Sequence, residues 1–281
     1  MKDIKAPPAL ALIEDEFSGR PLHDTAVSHA ILRQVAGQTL PETLRLYVPD
    51  EVMLFSLLDA RNPGFDSARQ AVEGLGCPSL LRLAGGHAAL FHRQCLAFAW
   101  AIPQDQATDG IRERFQSLAN IVQRAFVGLG IDARIGEVPG EYCPGEYSVN
   151  AGGRLKLMGV GQRVIRGGAH VGGVIVVGRS ARLHELLEPV YRHLALPWAP
   201  ASAGSLEDVV PGIRLEEVRE ALLAEFARGR TLRPASVGEA TRALALELEA
   251  WHSPGSGSAP GSSRRALGLP KTVLGDGDES A

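Results

Sequence analysis

Short apolar runs, cut by glycines and polar pairs, recur through the middle of this chain and alternate with stretches of helical period. SLLRLA, HAALFH and CLAFAWAIP follow one another between residues 79 and 103, with only Gly85-Gly86 and His92-Arg93-Gln94 to interrupt them. Such brief breaks read as hairpins. Residues 109–130 instead place apolar side chains at 111, 115, 118, 121, 122, 125 and 126, which is one face of a helix, closed by Gly128 and Gly130. Strands joined by hairpins with helices interspersed predict an α+β domain. Its sheet should be mixed, largely antiparallel and flanked by helices, not doubly wound and parallel.

The rest of the chain fits this pattern. Helices are expected over 20–37 (Asp24 near the start, Gly37 as the stop), 65–76, 181–195, 214–229 and 236–251. Strands are expected at 43–49 and 52–58, split by Asp50-Glu51, then at 131–138, in the segment around Lys156, and at 169–178. With 281 residues the chain can bury a sizeable core. One domain over 1–252 is predicted, followed by a Gly/Ser/Pro-rich tail over 253–281 whose composition is that of a disordered segment. There is no internal repeat.

Composition narrows the function classes. A net charge of -3 supplies no field to attract nucleic acid or an anionic membrane. Three cysteines, at 77, 95 and 143, form no CxxC pair, which fits a reducing compartment better than a disulfide framework. The opening residues are too acidic and their apolar run too short for a signal peptide, and no run reaches the roughly 20 apolar residues of a membrane span. A soluble, cytoplasmic protein is expected.

The chemistry concentrates in GEYCPGEYSVNAGGRLKLMGVGQR, residues 140–163. Cys143 sits in a Pro/Gly-flanked bend and Lys156 in a strand beyond it. A thiol and an ammonium brought together are the minimum for acyl transfer through a thioester, the cation steadying the carbonyl oxygen. Each also has a plainer reading. Cys143 can be a small buried hydrophobe, and Glu137, Glu141 and Glu146 oppose the lowered pKa that a nucleophilic thiol needs. Simple alternation places Lys156 on one face with Met158, Val160 and Gln162, where its charge needs a partner, or else on an edge strand reaching solvent. Arg82 and Gly85-Gly86 form a third element: the glycines permit close backbone approach to a ligand, and the arginine suits a carboxylate or phosphate. His87 and His92 fall at strand ends.

Other chemistries find no support. GVGQRV lacks the third glycine of a dinucleotide loop, and there is no phosphate loop, HExxH or GxSxG. The eight histidines show no metal-ligand spacing, so no metal site is expected.

Taken in order, three segments resemble the lipoate–protein ligase and octanoyltransferase superfamily, which shares its catalytic fold with biotin–protein ligases. The resemblance spans about residues 20–229. RLAGGHAALFH (82–92) is similar to the family's arginine–x–Ser/Thr–Gly–Gly loop against the acyl group. GGRLKLMGVGQR (152–163) is similar to its GxKxxGxxQR strand, and GEYCPGEYSVN (140–150) looks like the cysteine-bearing segment of the octanoyl amidotransferase branch. The resemblance implies Cys143 as the thioester nucleophile and Lys156 as the group on the acyl carbonyl. Arg82, Gly85, Gly86, His87, Gly159 and Gln162 would bind substrate. Ala84 departs from the usual Ser/Thr, and His87 from the glycine of the ligase branch. The biotin-ligase GRGRxG signature is absent.

The implied activity is transfer of an octanoyl or lipoyl group onto the lysine of a lipoyl domain, without a cofactor. The implied partners are the glycine-cleavage H protein, 2-oxoacid dehydrogenase E2 subunits or acyl carrier protein. Two alternatives share the fold: a lipoate–protein ligase that uses ATP and Mg to form an acyl-adenylate, and a non-catalytic acyl- or lipoyl-domain-binding protein. No histidine is placed by sequence to deprotonate Cys143.

Overall fold

A computed structural model describes residues 8–104 and 110–255, so most of the predicted tail, 256–281, lies outside the described residues. The chain runs through β1 (Ala9–Ile13), α1 (Pro21–Ala36), β2 (Thr43–Tyr47), β3 (Val52–Phe55) and α2 (Phe65–Gly74). Next come β4 (Ser79–Leu81), β5 (Ala89–Phe91), β6 (Cys95–Gln104) and the long helix α3 (Ile111–Gly128). Then follow β7 (Ala133–Ile135), β8 (Val149–Ala151), β9 (Leu155–Ile165), β10 (Gly167–Val176) and α4 (Ser180–His193). α5 (Leu215–Phe226), β11 (Thr231–Ala235) and α6 (Glu239–His252) complete it.

The expected α+β architecture is present. One sheet has the order β11-β1-β2-β6-β10-β9-β8-β7, antiparallel except where β1 pairs with β11 and β2. A smaller sheet, β4-β3-β5, packs over it.

Strand β6 shows how the layers form. Leu96, Phe98 and Trp100 point to one face, where they meet Leu118, Val122 and Phe126 of α3 and Leu222 and Phe226 of α5. Cys95, Ala97 and Ala101 point to the other. Their small side chains leave room there for the small sheet, α4 and α1. Burial of each large apolar side chain stabilises by about 1.5–3 kcal/mol, so the sheet is clamped from both faces.

Five details differ from the sequence reading. The breaks at 85–86 and 92–94 are not hairpins: β4 and β5 both pair with β3, and β6 joins the large sheet. β3 stops at Phe55 because Ser56 and Asp59 form a hydrogen-bonded turn. β1 and β11 are additional strands; β11 is largely exposed, carries Pro234 and forms a sheet edge, so it shows no apolar alternation. The strand expected over 131–138 shortens to β7.

The fifth difference is a β-bulge. Consecutive residues Val149 and Asn150 pair with Met158 and Lys156, which leaves Leu157 as the extra residue of β9. Leu157 and Met158 therefore both enter the α3-side core, and Lys156 turns to the opposite face. A Cβ on Gly159 would lie 3.4 Å from Lys156 Cε, and one on Gly161 would lie 2.9 Å from Ala84 Cβ. Lys156 thus shares its face with Gly159 and Gly161, not with Met158, Val160 and Gln162.

Candidate active site

The loop between β7 and β8 carries Cys143 in the left-handed region, φ 43°, which is strained for a residue with a side chain. Both of its backbone groups are held. Its N–H donates to Tyr191 Oη of α4 at 2.7 Å, and that hydroxyl donates to Ala88 O at 3.0 Å. Its carbonyl accepts from Lys156 Nζ at 2.7 Å. Buried side chains from two different layers therefore fix the backbone from which the sulfur projects.

Lys156 is only 1% exposed. An ammonium has three donors, and here they reach Glu141 Oε1 at 2.9 Å, Tyr142 O at 2.9 Å and Cys143 O at 2.7 Å. Glu141, fully buried, also accepts from the Val138 N–H (2.9 Å), the Gly145 N–H (3.1 Å) and Ser148 Oγ (2.7 Å). The sequence had set the three acidic neighbours of Cys143 against a reactive thiol. Glu137 and Glu146 are exposed, and the third is neutralised by Lys156 and folded into the loop.

The sulfur itself faces donors. The His87 N–H reaches Sγ at 3.1 Å and Arg82 Nη2 lies at 3.3 Å; the same Nη2 donates to Gly85 O at 2.6 Å. Burial pushes the thiol pKa up. The Arg82 and Lys156 charges, the His87 N–H and the Arg82 hydrogen bond outweigh it and leave the thiol below its ordinary value. At Cys77 and Cys95 burial outweighs every lowering influence and pushes both up to about 12. Of the three cysteines, Cys143 is the one whose surroundings lower its thiol pKa.

Gly86 lets the Arg82 loop approach this closely. Its φ is +95°, and a Cβ there would fall 2.5 Å from Arg82 Nη2 and 2.8 Å from Cys143 Sγ. Gly85 has open space at the corresponding point and contributes its carbonyl instead.

Cys143 lines a cavity of about 390 Å³, together with Gly85, Gly86, Phe115, Val160 and Gly161. That volume is within the range of small-molecule sites. Ile111 and Phe115, apolar positions of α3 outside its buried face, form part of the wall, and Phe115 stacks on Tyr147 at 5.2 Å. Gln162 lines the cavity too, but its amide is tied to α3: Oε1 accepts from Arg114 Nε at 2.6 Å and Nε2 donates to Ile111 O at 3.1 Å. Gly159 lies behind the cavity, against Lys156.

The structure thus brings Cys143, Arg82, Gly86 and His87 to one point, with Lys156 behind the loop. Sequence reasoning missed Tyr191 and Asp59. Asp59 Oδ1 contacts His87 Nδ1 at 2.8 Å while Oδ2 accepts from Ser56 N–H and Oγ. The Ser56-x-x-Asp59 spacing, a capping signature, was the available signal. Among the described residues no group of three or more His, Cys, Asp or Glu side chains could hold a metal ion.

Solved structures place this architecture among lipoate–protein ligases. Lipoate-protein ligase A bound with ATP superimposes with a TM-score of 0.67 at 21% identity, covering 86% of this chain and 94% of that one. A bi-partite lipoate protein ligase from Thermoplasma acidophilum gives 0.65 at 20% identity, covering 96% and 100%. The chain belongs to the lipoyl protein ligase A/B catalytic domain family, whose model matches residues 20–227. It is 28% identical over 182 residues to octanoyl-[GcvH]:protein N-octanoyltransferase of Oceanobacillus iheyensis, covering 63% of this chain and 64% of the relative. It is 22% identical over 167 residues to lipoyl-[GcvH]:protein N-lipoyltransferase of Listeria monocytogenes, covering 59% and 60%. The chain spans just under two thirds of the length of curated relatives it matches.

Proposed function

We propose that this protein is an acyltransferase that moves an octanoyl or lipoyl group onto the lysine of a lipoyl domain, through a thioester on Cys143. The observation that carries this reading is the Cys143 sulfur at the wall of the cavity, facing the His87 N–H and Arg82. The Cys143 thiolate attacks the carbonyl carbon of an acyl-lysine, the C–N bond breaks and the lysine amine leaves. The amine of an acceptor lysine then attacks the thioester and restores the thiolate. As the sulfur gives up its charge, the His87 N–H and Arg82 are placed to follow that charge onto the carbonyl oxygen.

Lys156 takes a different part from the carbonyl contact implied by resemblance. With its donors engaged, it is a positioning residue that holds the Cys143 carbonyl and adds positive charge behind the sulfur. The cavity supplies grip, since each buried methylene contributes about 0.8 kcal/mol. The names of the relatives point to octanoylated or lipoylated GcvH as donor and another protein as acceptor.

The test is intact-mass spectrometry after incubation with an octanoylated lipoyl domain. An octanoyl adduct, lost in Cys143→Ala along with transfer, is the expected result. Transfer that requires ATP and survives Cys143→Ala would replace this reading with the ligase one.

A further inference from the structure

Both half-reactions need a proton that Cys143 cannot supply. A lysine amide does not leave as an amide anion, so nitrogen must be protonated as the C–N bond breaks. In the second step the attacking amine must lose a proton as it becomes an amide. The thiolate has none to give, and Lys156 is enclosed by Glu141 and two carbonyls.

His87 is placed for this transfer. Its backbone N–H touches Sγ at 3.1 Å, so its side chain begins beside the reacting sulfur. Its Nδ1 lies 2.8 Å from Oδ1 of Asp59, whose carboxyl is 1% exposed. Ser56 donates to the other oxygen twice, from N–H at 2.9 Å and Oγ at 3.0 Å. A carboxylate held in this way accepts a proton from Nδ1 and so leaves Nε2 as the exchangeable nitrogen. The ring is 26% exposed, while the buried His92 and His170 are held neutral by burial, with pKa values pushed down to about 4. His87 is thus a partly exposed imidazole carried by the residue whose backbone N–H touches the sulfur.

We propose that His87 is the general acid and base of the transfer, oriented by Asp59 as a positioning residue. This rests on the thioester reading above. In the first half-reaction the sulfur–carbon bond forms, the C–N bond breaks, and the Nε2 proton of the His87 imidazolium passes to the departing lysine nitrogen. In the second, the acceptor lysine arrives as its neutral amine, its nitrogen attacks the thioester carbon, neutral His87 Nε2 takes the proton that this nitrogen loses as the amide forms, and the C–S bond breaks to return the thiolate. The proton lent in one step is recovered in the other.

The test compares two acyl donors in single turnover on the full-length chain: an octanoylated lipoyl domain and p-nitrophenyl octanoate. The phenolate of the ester leaves without a proton, so only the amide donor needs the acid. His87→Gln keeps the backbone N–H on the sulfur. It is expected to slow adduct formation from the amide donor by about 10²–10⁴-fold while changing the nitrophenolate burst by less than about threefold. Asp59→Asn, which reverses the preferred tautomer, should show the same split. Equal slowing with both donors, or no slowing with the amide, would overturn the role of His87. The same ester burst reports that each variant is folded. Failure of the unaltered protein to form any Cys143 adduct would instead remove the thioester reading itself.

Discussion

The buried Lys156–Glu141 pair allows structural and chemical roles to be separated. Lys156→Met removes the cation and leaves a carboxylate that is fully buried, with two carbonyls, Tyr142 O and Cys143 O, stripped of their donor. Breaking one side of a buried pair costs about 3–5 kcal/mol. Three other donors still reach Glu141, which favours the lower half of that range. In a chain of this length the loss corresponds to about 6–16 °C in melting temperature. Because Gln at 141 removes the charge but keeps acceptor capacity, Lys156→Met with Glu141→Gln should be more stable than Lys156→Met alone, while acyl transfer stays impaired in both. Urea and thermal unfolding measure the stability, and intact-mass kinetics measure the transfer. A Lys156→Met variant that melts within about 0.5 kcal/mol of the unaltered protein, yet forms no adduct, would refute the positioning role and return Lys156 to the substrate carbonyl.

Removing Arg82 as Arg82→Met takes away the largest influence opposing burial at Cys143, so the thiol pKa should rise and the pH profile of alkylation by iodoacetamide should move to higher pH. A profile that stays in place would show that the guanidinium does not hold the thiolate. Gly86→Ala needs a strained φ and puts a methyl into Arg82 and Sγ; we expect about 1–3 kcal/mol of destabilisation and loss of the acyl adduct, read by melting and mass spectrometry. Acid should destabilise the α1–α6 seam. Burial holds His29 at about 2, and His170 and His252 at about 4, against about 6.5 unfolded. The unfolded state therefore binds more protons, and stability present above pH ~6.5 is lost as pH falls toward ~4, by up to about 1.4 kcal/mol per histidine per pH unit. Melting temperature against pH checks this, with His252→Gln expected to flatten the slope.

Much of the fold was legible in single segments. The period of 111–126 marked α3, and its two leftover apolar residues, Ile111 and Phe115, became cavity wall. Gly86 was legible as a point of close approach, although which of the two glycines mattered was not, because only the φ of +95° separates it from Gly85. The sign of Glu141 was misjudged for a plain reason. Proximity in sequence says nothing about which way a side chain turns, and this one turns inward to meet Lys156. Asp59 was hidden by a strand reading that ran three residues too far, past the turn that Ser56 begins. Tyr191 reaches Cys143 from 48 residues away, a contact no local pattern encodes.

The bulge at Leu157 carries a consequence for spacing. Lys156 and Gly159 face the same way although they stand an odd number of residues apart, which an unbroken strand forbids. Leu157 acts as a phase shifter: upstream of it the chain is counted in one parity, downstream in the other. Pairing Leu157 regularly in the ladder, with no bulge, would leave every side chain chemically intact, yet would swing Lys156 into the apolar layer under α3 and aim a leucine at the cysteine loop. In a lysine–x–x–glycine strand of this kind, the interval of three carries as much information as the two residues it separates.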